Sequence, residues 1–227
     1  MTLIDKPVEG VKTDARPHPA GAKGARLSLK EVAERAWKAR MSPRLRAWAT
    51  QVLAKANVST GNRRQKGKAI LDAYRAKVPY IADPVMGEFM ETPDQTLCLD
   101  EGGLCFIGTD CDGSAIALAA AMMSIGIPAM IVGSSHKNPS DTPTHVFMAF
   151  EDDDGSWVRM DGTTKHEVGS APPRKREWWV EPGAEAKERG EGDFVGMSGT
   201  NSFLGNSSPK ERHPSISLLD LRYPTIR

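Results

Sequence analysis

An uncharged apolar segment, residues 115–125, constrains the fold more than any other feature of this chain. Ser124 is its only polar residue, so a helix over this segment is apolar on every side and has to be buried under other elements. Thr109 or Asp110 can cap the first amides of the helix, and Gly126 suits the left-handed conformation with which many helices end. The segment therefore predicts a central buried helix.

Cys111 stands where this helix is expected to begin. Free N–H groups and the helix dipole at an N-terminus favour a thiolate, which makes Cys111 a candidate nucleophile. Asp110 and Asp112 oppose this with their negative charges, and we expect the helix terminus and a histidine partner to outweigh them. A lone cysteine in an apolar helix is often an inert small hydrophobe, so the function depends on what else faces Cys111.

Length and composition predict a globular domain with tails. The chain has 227 residues, of which 39% are hydrophobic and 26% charged, and no apolar run is long enough to span a membrane. The N-terminus lacks a basic region followed by an apolar one, so we expect no secretory signal and no membrane association. Three cysteines are an odd number, which argues against a disulfide framework and favours a reducing compartment such as the cytoplasm.

The charges are unevenly distributed although the net charge is only +1. Residues 27–80 contain 13 Lys and Arg but 3 Asp and Glu, whereas residues 81–162 contain 14 Asp and Glu but only Lys137 and Arg159 as bases. We favour the interpretation that the basic and acidic regions pack against each other. A polyanionic partner such as nucleic acid for residues 27–80 is not excluded, but no recognised motif supports it.

The pattern along the chain predicts three regions. Residues 1–26 form an extended or disordered arm, residues 27–169 form the domain, and residues 170–227 form an irregular C-terminal extension anchored by Trp178 and Trp179. Two helices are expected over residues 28–55, the first starting with a capping box at Ser28 and the second at Ser42-Pro43, and a third helix is expected over residues 63–77. Strands are expected over residues 129–133, 144–150 and 156–161, and a further short strand is possible over residues 78–81.

The last two strands are predicted to form a hairpin around the acidic turn at residues 151–155. If the turn is an odd loop centred on Asp153, Val146 and Met148 lie on one apolar face. In that register Val146 is opposite Met160, Met148 is opposite Val158, Phe147 is opposite Arg159, and Ala149 is opposite Trp157. A two-residue Asp154-Gly155 turn would instead place Met148 opposite Asp161, which loses the apolar face, so the odd loop is favoured.

The same register places His145 directly opposite Asp161, with Cβ atoms about 4.5–5.5 Å apart. An aspartate beside a histidine fixes the imidazole tautomer and stabilises its charged form, as the third member of a catalytic triad does. With Cys111 as nucleophile, the sequence predicts a site made of Cys111, His145 and Asp161.

These segments together resemble the transglutaminase-like superfamily. Asp110-Cys111-Asp112 with its alanine-rich helix and Gly126-Ile127-Pro128-Ala129 is similar to that family's nucleophile motif. Thr144-His145-Val146 and the segment from Gly155 to Asp161 are similar to its histidine strand and its Gly-x-Trp…Asp strand. The segments Val78–Pro84 and Glu88…Thr92-Pro93 resemble the lead-in of members from phages and phage-like particles.

The resemblance implies an α+β fold with a papain-like or transglutaminase-like core, in which the nucleophile helix packs on an antiparallel sheet, preceded by N-terminal helices. It also implies acyl chemistry on amides without a cofactor. Cys111 would attack the carbonyl, His145 would shuttle the proton and Asp161 would orient His145. The backbone N–H of Cys111 and, speculatively, the side chain of Gln95 would stabilise the oxyanion.

Two classes of function follow from these residues. The first is a cysteine-dependent enzyme acting on a protein or peptide, with a protease or amidase favoured over a transglutaminase because hydrolysis needs only water. The second is a structural or interaction protein of a phage-like particle, which keeps the fold and docks on other subunits through its terminal tails. Metal binding by Cys98, Cys105, Cys111 and His136 fits no common zinc spacing, and residues 152–154 could bind calcium only weakly, so no metal is expected.

Overall fold

The structure is a computed structural model that describes residues 21–82, 90–99, 108–135, 142–170 and 176–192. Within these residues the chain forms five helices and five strands, all inside one compact unit. The helices are α1 (Ala22–Ala39), α2 (Pro43–Lys55), α3 (Arg63–Lys77), α4 (Pro93–Thr96) and α5 (Cys111–Ser124). The strands are β1 (Ala129–Ser135), β2 (His145–Glu151), β3 (Trp157–Met160), β4 (Arg176–Glu181) and β5 (Lys187–Gly192).

Helix α5 is the central element, as its sequence predicts. Nearly all of its residues are buried, because α1, α2, α3 and α4 contact it on several sides and β1 and β2 contact it on another. Ile116, Leu118 and Met122 are completely buried, and burial of each such side chain contributes about 1.5–3 kcal/mol. The helix ends at Ser124, and Gly126 follows in the left-handed conformation at φ 82°.

The strands form one antiparallel sheet in the order β3-β2-β1-β4-β5. Alternate residues divide between its two faces. The face that joins the helical core carries Ile131, Val146, Met148, Phe150, Val158, Met160, Trp178 and Val180. The opposite face has its own small cluster, formed by Val132, Phe147, Ala149 and Trp179 with Met130 and Trp157 at its border. This is the predicted α+β architecture, in which the buried helix α5 packs on an antiparallel sheet.

The hairpin of β2 and β3 has the predicted faces but not the predicted register. Met148 is opposite Met160 and Phe150 is opposite Val158, which shifts the pairing by two residues and centres the odd loop on Asp154 instead of Asp153. A shift of two residues keeps each side chain on its face, so the alternation of apolar residues could not distinguish these registers. His145 is consequently not directly opposite Asp161, which follows the end of β3.

The N-terminal helices match the prediction in α2 and α3 but not in α1. Ser42 caps α2 and Pro43 is its first residue, while α3 begins after a capping box of Asn62 and Gln65. Helix α1 begins at Ala22, so the predicted start at Ser28 is wrong and the predicted arm ends earlier than residue 26. Alanine-rich sequence before Ser28 favours helix, which lets α1 extend upstream without a side-chain cap.

Residues 176–192 correct the prediction of an irregular C-terminal extension. They form β4 and β5, and β4 pairs with the central strand β1. The sequence signal for β4 is Arg-Glu-Trp-Trp-Val-Glu, in which Trp178 and Val180 face the helices. We missed it because charged, Pro-rich and Gly-rich sequence surrounds so short an apolar run. Residues 1–20 and 193–227, which include most of both predicted tails, lie outside the described residues.

The possible strand at residues 78–81 is reduced to a single bridge between Tyr80 and Thr109. Two backbone hydrogen bonds accompany it, from the Ile81 N–H to the Thr109 carbonyl at 3.0 Å and from the Thr109 N–H to the Pro79 carbonyl at 3.2 Å. This bridge fixes the backbone just ahead of α5.

The basic and acidic regions meet at the β2–β3 turn. The Arg63 N–H at the start of α3 donates to Asp153 Oδ2 at 3.0 Å, and Arg64 forms an ion pair with Asp152 at 2.9 Å. Arg63 also lies 3.3 Å from a carboxylate oxygen of Glu151. These contacts support the interpretation that the two charged regions pack together. In the part of the chain that the structure describes, no helix is both long and apolar enough to cross a membrane.

Candidate active site

Asp110 positions Cys111 at the first turn of α5. Asp110 is the N-cap, and its Oδ1 accepts hydrogen bonds from the N–H groups of Asp112 at 3.0 Å and Gly113 at 3.3 Å. Cys111 is a free cysteine and half-buried. Its own N–H has no hydrogen-bond partner among the described residues, so this amide is available to an oxyanion next to the thiol.

A buried contact fixes the chain just before the nucleophile. The Thr109 hydroxyl donates to Glu91 Oε2 at 2.8 Å, and both side chains are buried. This contact lies against Gly113, where a Cβ atom would come within 2.0 Å of Thr109 Oγ1 and 2.5 Å of Glu91 Oε2. Glycine at position 113 therefore allows residues 91 and 109 to pack tightly on the first turn of α5.

His145 and Asp161 are in contact despite the shifted register. His145 Nε2 lies 2.7 Å from Asp161 Oδ2, so the side chains meet across a diagonal of the hairpin. Asp161 Oδ1 accepts two further hydrogen bonds, from the N–H of Thr163 at 3.0 Å and from its hydroxyl at 2.8 Å. The predicted pair is thus present, with an additional partner that the sequence did not indicate.

The partners of Asp161 favour its ionised form. Burial alone would raise the pKa of the Asp161 carboxyl, but the hydrogen bond and charge of His145 and the two bonds from Thr163 lower it to about 2. Asp161 is therefore a carboxylate at neutral pH and can stabilise a proton on His145.

The hydrogen bonds at the far end of β2 show which way its amides point. The Glu151 N–H donates to the Pro128 carbonyl on the β1 side, and the Asp152 N–H donates to the Ser156 carbonyl on the β3 side. Since directions alternate along an antiparallel strand, Val146 directs its N–H toward the β3 side.

Among the described residues, no residue of β3 is opposite Val146, because β3 ends at Met160, which is opposite Met148. The backbone of Val146 instead lies close enough to the Cys111 sulfur to lower the pKa of its thiol. Cys111 is thus near the start of β2, where His145 immediately precedes Val146. All three predicted residues therefore converge on one end of the β2–β3 pair.

The surroundings of the thiol correct our expectation that a thiolate is favoured. Burial, followed by the charges of Asp112 and Asp110, raises the pKa of the Cys111 thiol well above its ordinary value, against the opposing effect of Val146. The thiol also lies 3.6 Å from Asp112 Oδ1, to which it can donate its proton in a hydrogen bond. Both effects are strong because Cys111 packs against the core and Asp112 is itself buried.

Gln95, the predicted side-chain contributor to the oxyanion hole, has a structural role in α4. Its Oε1 accepts from the N–H and the hydroxyl of Thr92, both at 3.0 Å, which completes a capping box. A contact of Gln95 with Cys111 stays a prediction. The effect of Val146 on the pKa of the Cys111 thiol comes from its backbone, which has no side-chain signal in the sequence.

The remaining cysteines do not extend the site. Cys98 is disulfide-bonded, so the expectation of reduced cysteines is wrong for this residue: an odd count guarantees one free thiol but does not prevent a single pair. Cys105 and His136 lie outside the described residues. Across the residues that the structure describes, no three His, Cys, Asp or Glu side chains are grouped to hold a metal ion.

The match to a family model agrees with the motif. The family model described as the transglutaminase-like superfamily matches residues 46–162, which include Cys111, His145 and Asp161. No curated protein matches the chain. A solved structure of a "Putative Cysteine Protease" from Cytophaga hutchinsonii is similar at 15% identity and a TM-score of 0.39, over 69% of this chain. The match spans 52% of that protein, about half its length.

Proposed function

The chain belongs to the transglutaminase-like superfamily, and from this premise we propose that it is a cysteine-dependent enzyme that cleaves or transfers amide acyl groups through Cys111, His145 and Asp161. One observation carries the proposal. His145 Nε2 lies 2.7 Å from the Asp161 carboxylate, while the backbone of Val146, the residue after His145, is close enough to the Cys111 sulfur to lower the pKa of its thiol. A nucleophile, a base and an orienting acid thus share one small region.

The proton of the thiol is removed during the attack and not before it. Because burial and Asp112 raise the pKa of Cys111, the thiol is protonated at neutral pH. His145 directs Nε2 to Asp161, so Nδ1, on the other side of the ring, is the nitrogen that accepts this proton. The negative charge of Asp161 stabilises the resulting imidazolium.

The chemical steps balance without a cofactor. The sulfur bonds to the carbonyl carbon, the π electron pair moves to the oxygen, and the N–H of Cys111 donates to the oxyanion. When the C–N bond breaks, the amine takes the proton from His145 and leaves a thioester on Cys111. Water or an amine then attacks the thioester with His145 again as base. We place hydrolysis, as a protease or amidase, before cross-linking because it needs no second substrate.

Acylation with p-nitrophenyl acetate tests the proposal. The wild-type chain should release a rapid burst of one p-nitrophenolate per chain, with the acetyl group on Cys111 by mass spectrometry. Cys111→Ala should abolish the burst, and His145→Gln should slow it by roughly 100-fold or more. A burst that survives in Cys111→Ala, or acylation unaffected by His145→Gln, would contradict the proposed nucleophile and base.

The fate of the acyl group distinguishes hydrolysis from transfer. Incubation with casein and a fluorescent primary amine should release new peptide termini for a protease and attach the amine for a transglutaminase. If Cys111 is not acylated at any pH, the alternative gains support, in which the chain keeps the fold as a structural or interaction protein of a phage-like particle.

A further inference from the structure

We propose that Arg75 is a positioning residue for the active site, which holds the backbone of Asp161 so that its carboxylate can orient His145. The inference rests on the proposed function for its catalytic consequence, but its structural part can be measured separately. Arg75 lies in the last turn of α3, outside the segments that carry the nucleophile, the base and the acid.

One nitrogen of Arg75 makes both hydrogen bonds of this contact. Arg75 Nη2 donates to the Asp161 carbonyl oxygen at 2.7 Å and to the His166 carbonyl oxygen at 2.7 Å. These carbonyls stand at the two ends of residues 161–166, the segment that leaves β3. Hydrogen bonds from a charged donor to a carbonyl are stronger than neutral ones, so the two bonds tie both ends of this segment to α3.

The segment depends on such contacts because the sheet no longer holds it. The ladder between β2 and β3 ends with Met160, so Asp161 is the first residue without a strand partner on β2. The Thr163 bonds fix the carboxylate of Asp161 relative to its own loop but do not join the loop to a helix. Arg75 supplies hydrogen bonds from the loop to α3.

The segment also packs closely on α5 and α3 at Gly162. At Gly162 a Cβ atom would come within 2.1 Å of Ser114 Oγ and within 2.9 Å of side-chain atoms of Leu118 and Tyr74. Close packing on α5 and α3 at Gly162 and the Arg75 hydrogen bonds therefore act together on this part of the chain. Displacement of Asp161 by a fraction of an ångström would lengthen the 2.7 Å contact with His145.

Arg75 acts on position because it contacts the carbonyl of Asp161 and not its carboxylate. Met, Lys and Arg have stems of similar length, so Arg75→Met retains the packing of the stem and removes both hydrogen bonds, while Arg75→Lys retains the charge but not the planar geometry. Arg46→Met is the matched control. Arg46 Nε also donates to a backbone carbonyl, that of Ser124 at 2.8 Å, but at the far end of α5.

Two readouts test the proposal on the full chain. The first is the acylation rate with p-nitrophenyl acetate, which Arg75→Met should lower by about 10- to 100-fold and Arg46→Met by less than about twofold. The second is the downfield proton NMR signal of the His145 Nε2–H held by Asp161, identified by its absence in His145→Gln. Arg75→Met should lose or broaden this signal, Arg46→Met should keep it, and added guanidinium ion should partly restore it.

The two readouts separate the possible failures. An Arg75→Met chain that keeps both the NMR signal and the acylation rate overturns the inference. If the wild-type chain is not acylated, the proposed function fails, and the NMR signal alone still decides whether Arg75 positions the His145–Asp161 pair. If circular dichroism shows that Arg75→Met does not fold, the same NMR signal is measured in Arg75→Lys. A signal retained at full strength overturns the inference, and loss of the signal supports it.

Discussion

Asp112 and Asp161 are both buried carboxylates beside a residue of the candidate site, yet they have opposite effects on their neighbours. Asp161 contacts His145 and stabilises a positive charge there, whereas Asp112 contacts Cys111 and disfavours a negative charge on its sulfur. The same residue type therefore has opposite effects on the charges of its two neighbours. In the mechanism that we propose, the thiol consequently stays protonated until His145 accepts its proton during the attack.

The largest effect is expected from Asp161→Asn, which preserves shape but removes the charge. Without the carboxylate the imidazolium is no longer stabilised and the tautomer of His145 is no longer fixed, so the acylation rate should fall by roughly 10²- to 10⁴-fold. Stopped-flow measurement of the p-nitrophenolate burst checks this. Asp153→Asn, in the β2–β3 turn, is the matched control and should keep the wild-type acylation rate. Equal acylation rates in Asp161→Asn and Asp153→Asn would contradict the role given to the Asp161 charge.

Acid should remove the stabilisation that Asp161 provides. The pKa of Asp161 is lowered from 3.8 to about 2 in the folded chain, so its contribution is present above pH 4 and is lost as the pH falls through about 2. The shift corresponds to about 2 kcal/mol in the free energy of unfolding. Urea unfolding between pH 2 and 5 should show wild type losing this amount relative to Asp161→Asn. A constant difference across this range would contradict the low pKa.

The opposite outcome is expected for Asp112→Asn. Removal of its charge and of its acceptor for the thiol proton should lower the pKa of Cys111 by about one unit, which raises the alkylation rate by iodoacetamide at pH 8 roughly tenfold. Without reductant, mass spectrometry can follow Cys111 separately because Cys98 is disulfide-bonded. In wild type the rate should keep rising above pH 9. A plateau near that pH in wild type would contradict the raised pKa.

The smallest effect separates charge from capping at Asp110. Asp110→Ala removes the cap of α5 and should cost about 1 kcal/mol in the free energy of unfolding, whereas Asp110→Asn, also a good cap, should cost little. Both variants remove one negative charge near the thiol and should increase alkylation by similar small factors. Urea unfolding together with the alkylation assay checks both parts. Equal stabilities would show that Asp110 contributes charge but no cap.

The sequence was sufficient for the elements that local patterns define. The uniform apolar character of residues 115–125 predicts the buried α5, the alternation of Val146 and Met148 predicts the core face of β2, and Ser42-Pro43 predicts the start of α2. Each of these depends on neighbours within a few residues. The contact of His145 with Asp161 and the position of Cys111 at the start of α5 also agree with the prediction from the motif.

What the sequence did not reveal depends on distant parts of the chain. Whether Cys111 favours a thiolate is decided by burial between α5 and β2 and by the direction of the Asp112 side chain, neither of which a linear pattern specifies. The same holds for β4, because Trp178 and Trp179 indicate a strand only when their pairing with β1 is known. The contact between Arg75 and Asp161 joins two residues that are 86 positions apart in the sequence, and no sequence motif indicates it.

The stagger of the β2–β3 hairpin has a consequence for catalysis that the side-chain faces do not reveal. In the register predicted from sequence, Val146 would be opposite Met160 and its N–H would be consumed by the ladder. Moving the strands by two residues leaves every side chain on its face but leaves that amide outside the ladder, near the Cys111 sulfur, where the backbone of Val146 lowers the pKa of the thiol. The register set by the β2–β3 turn thus decides whether the Val146 N–H is bonded within the sheet or lies next to Cys111.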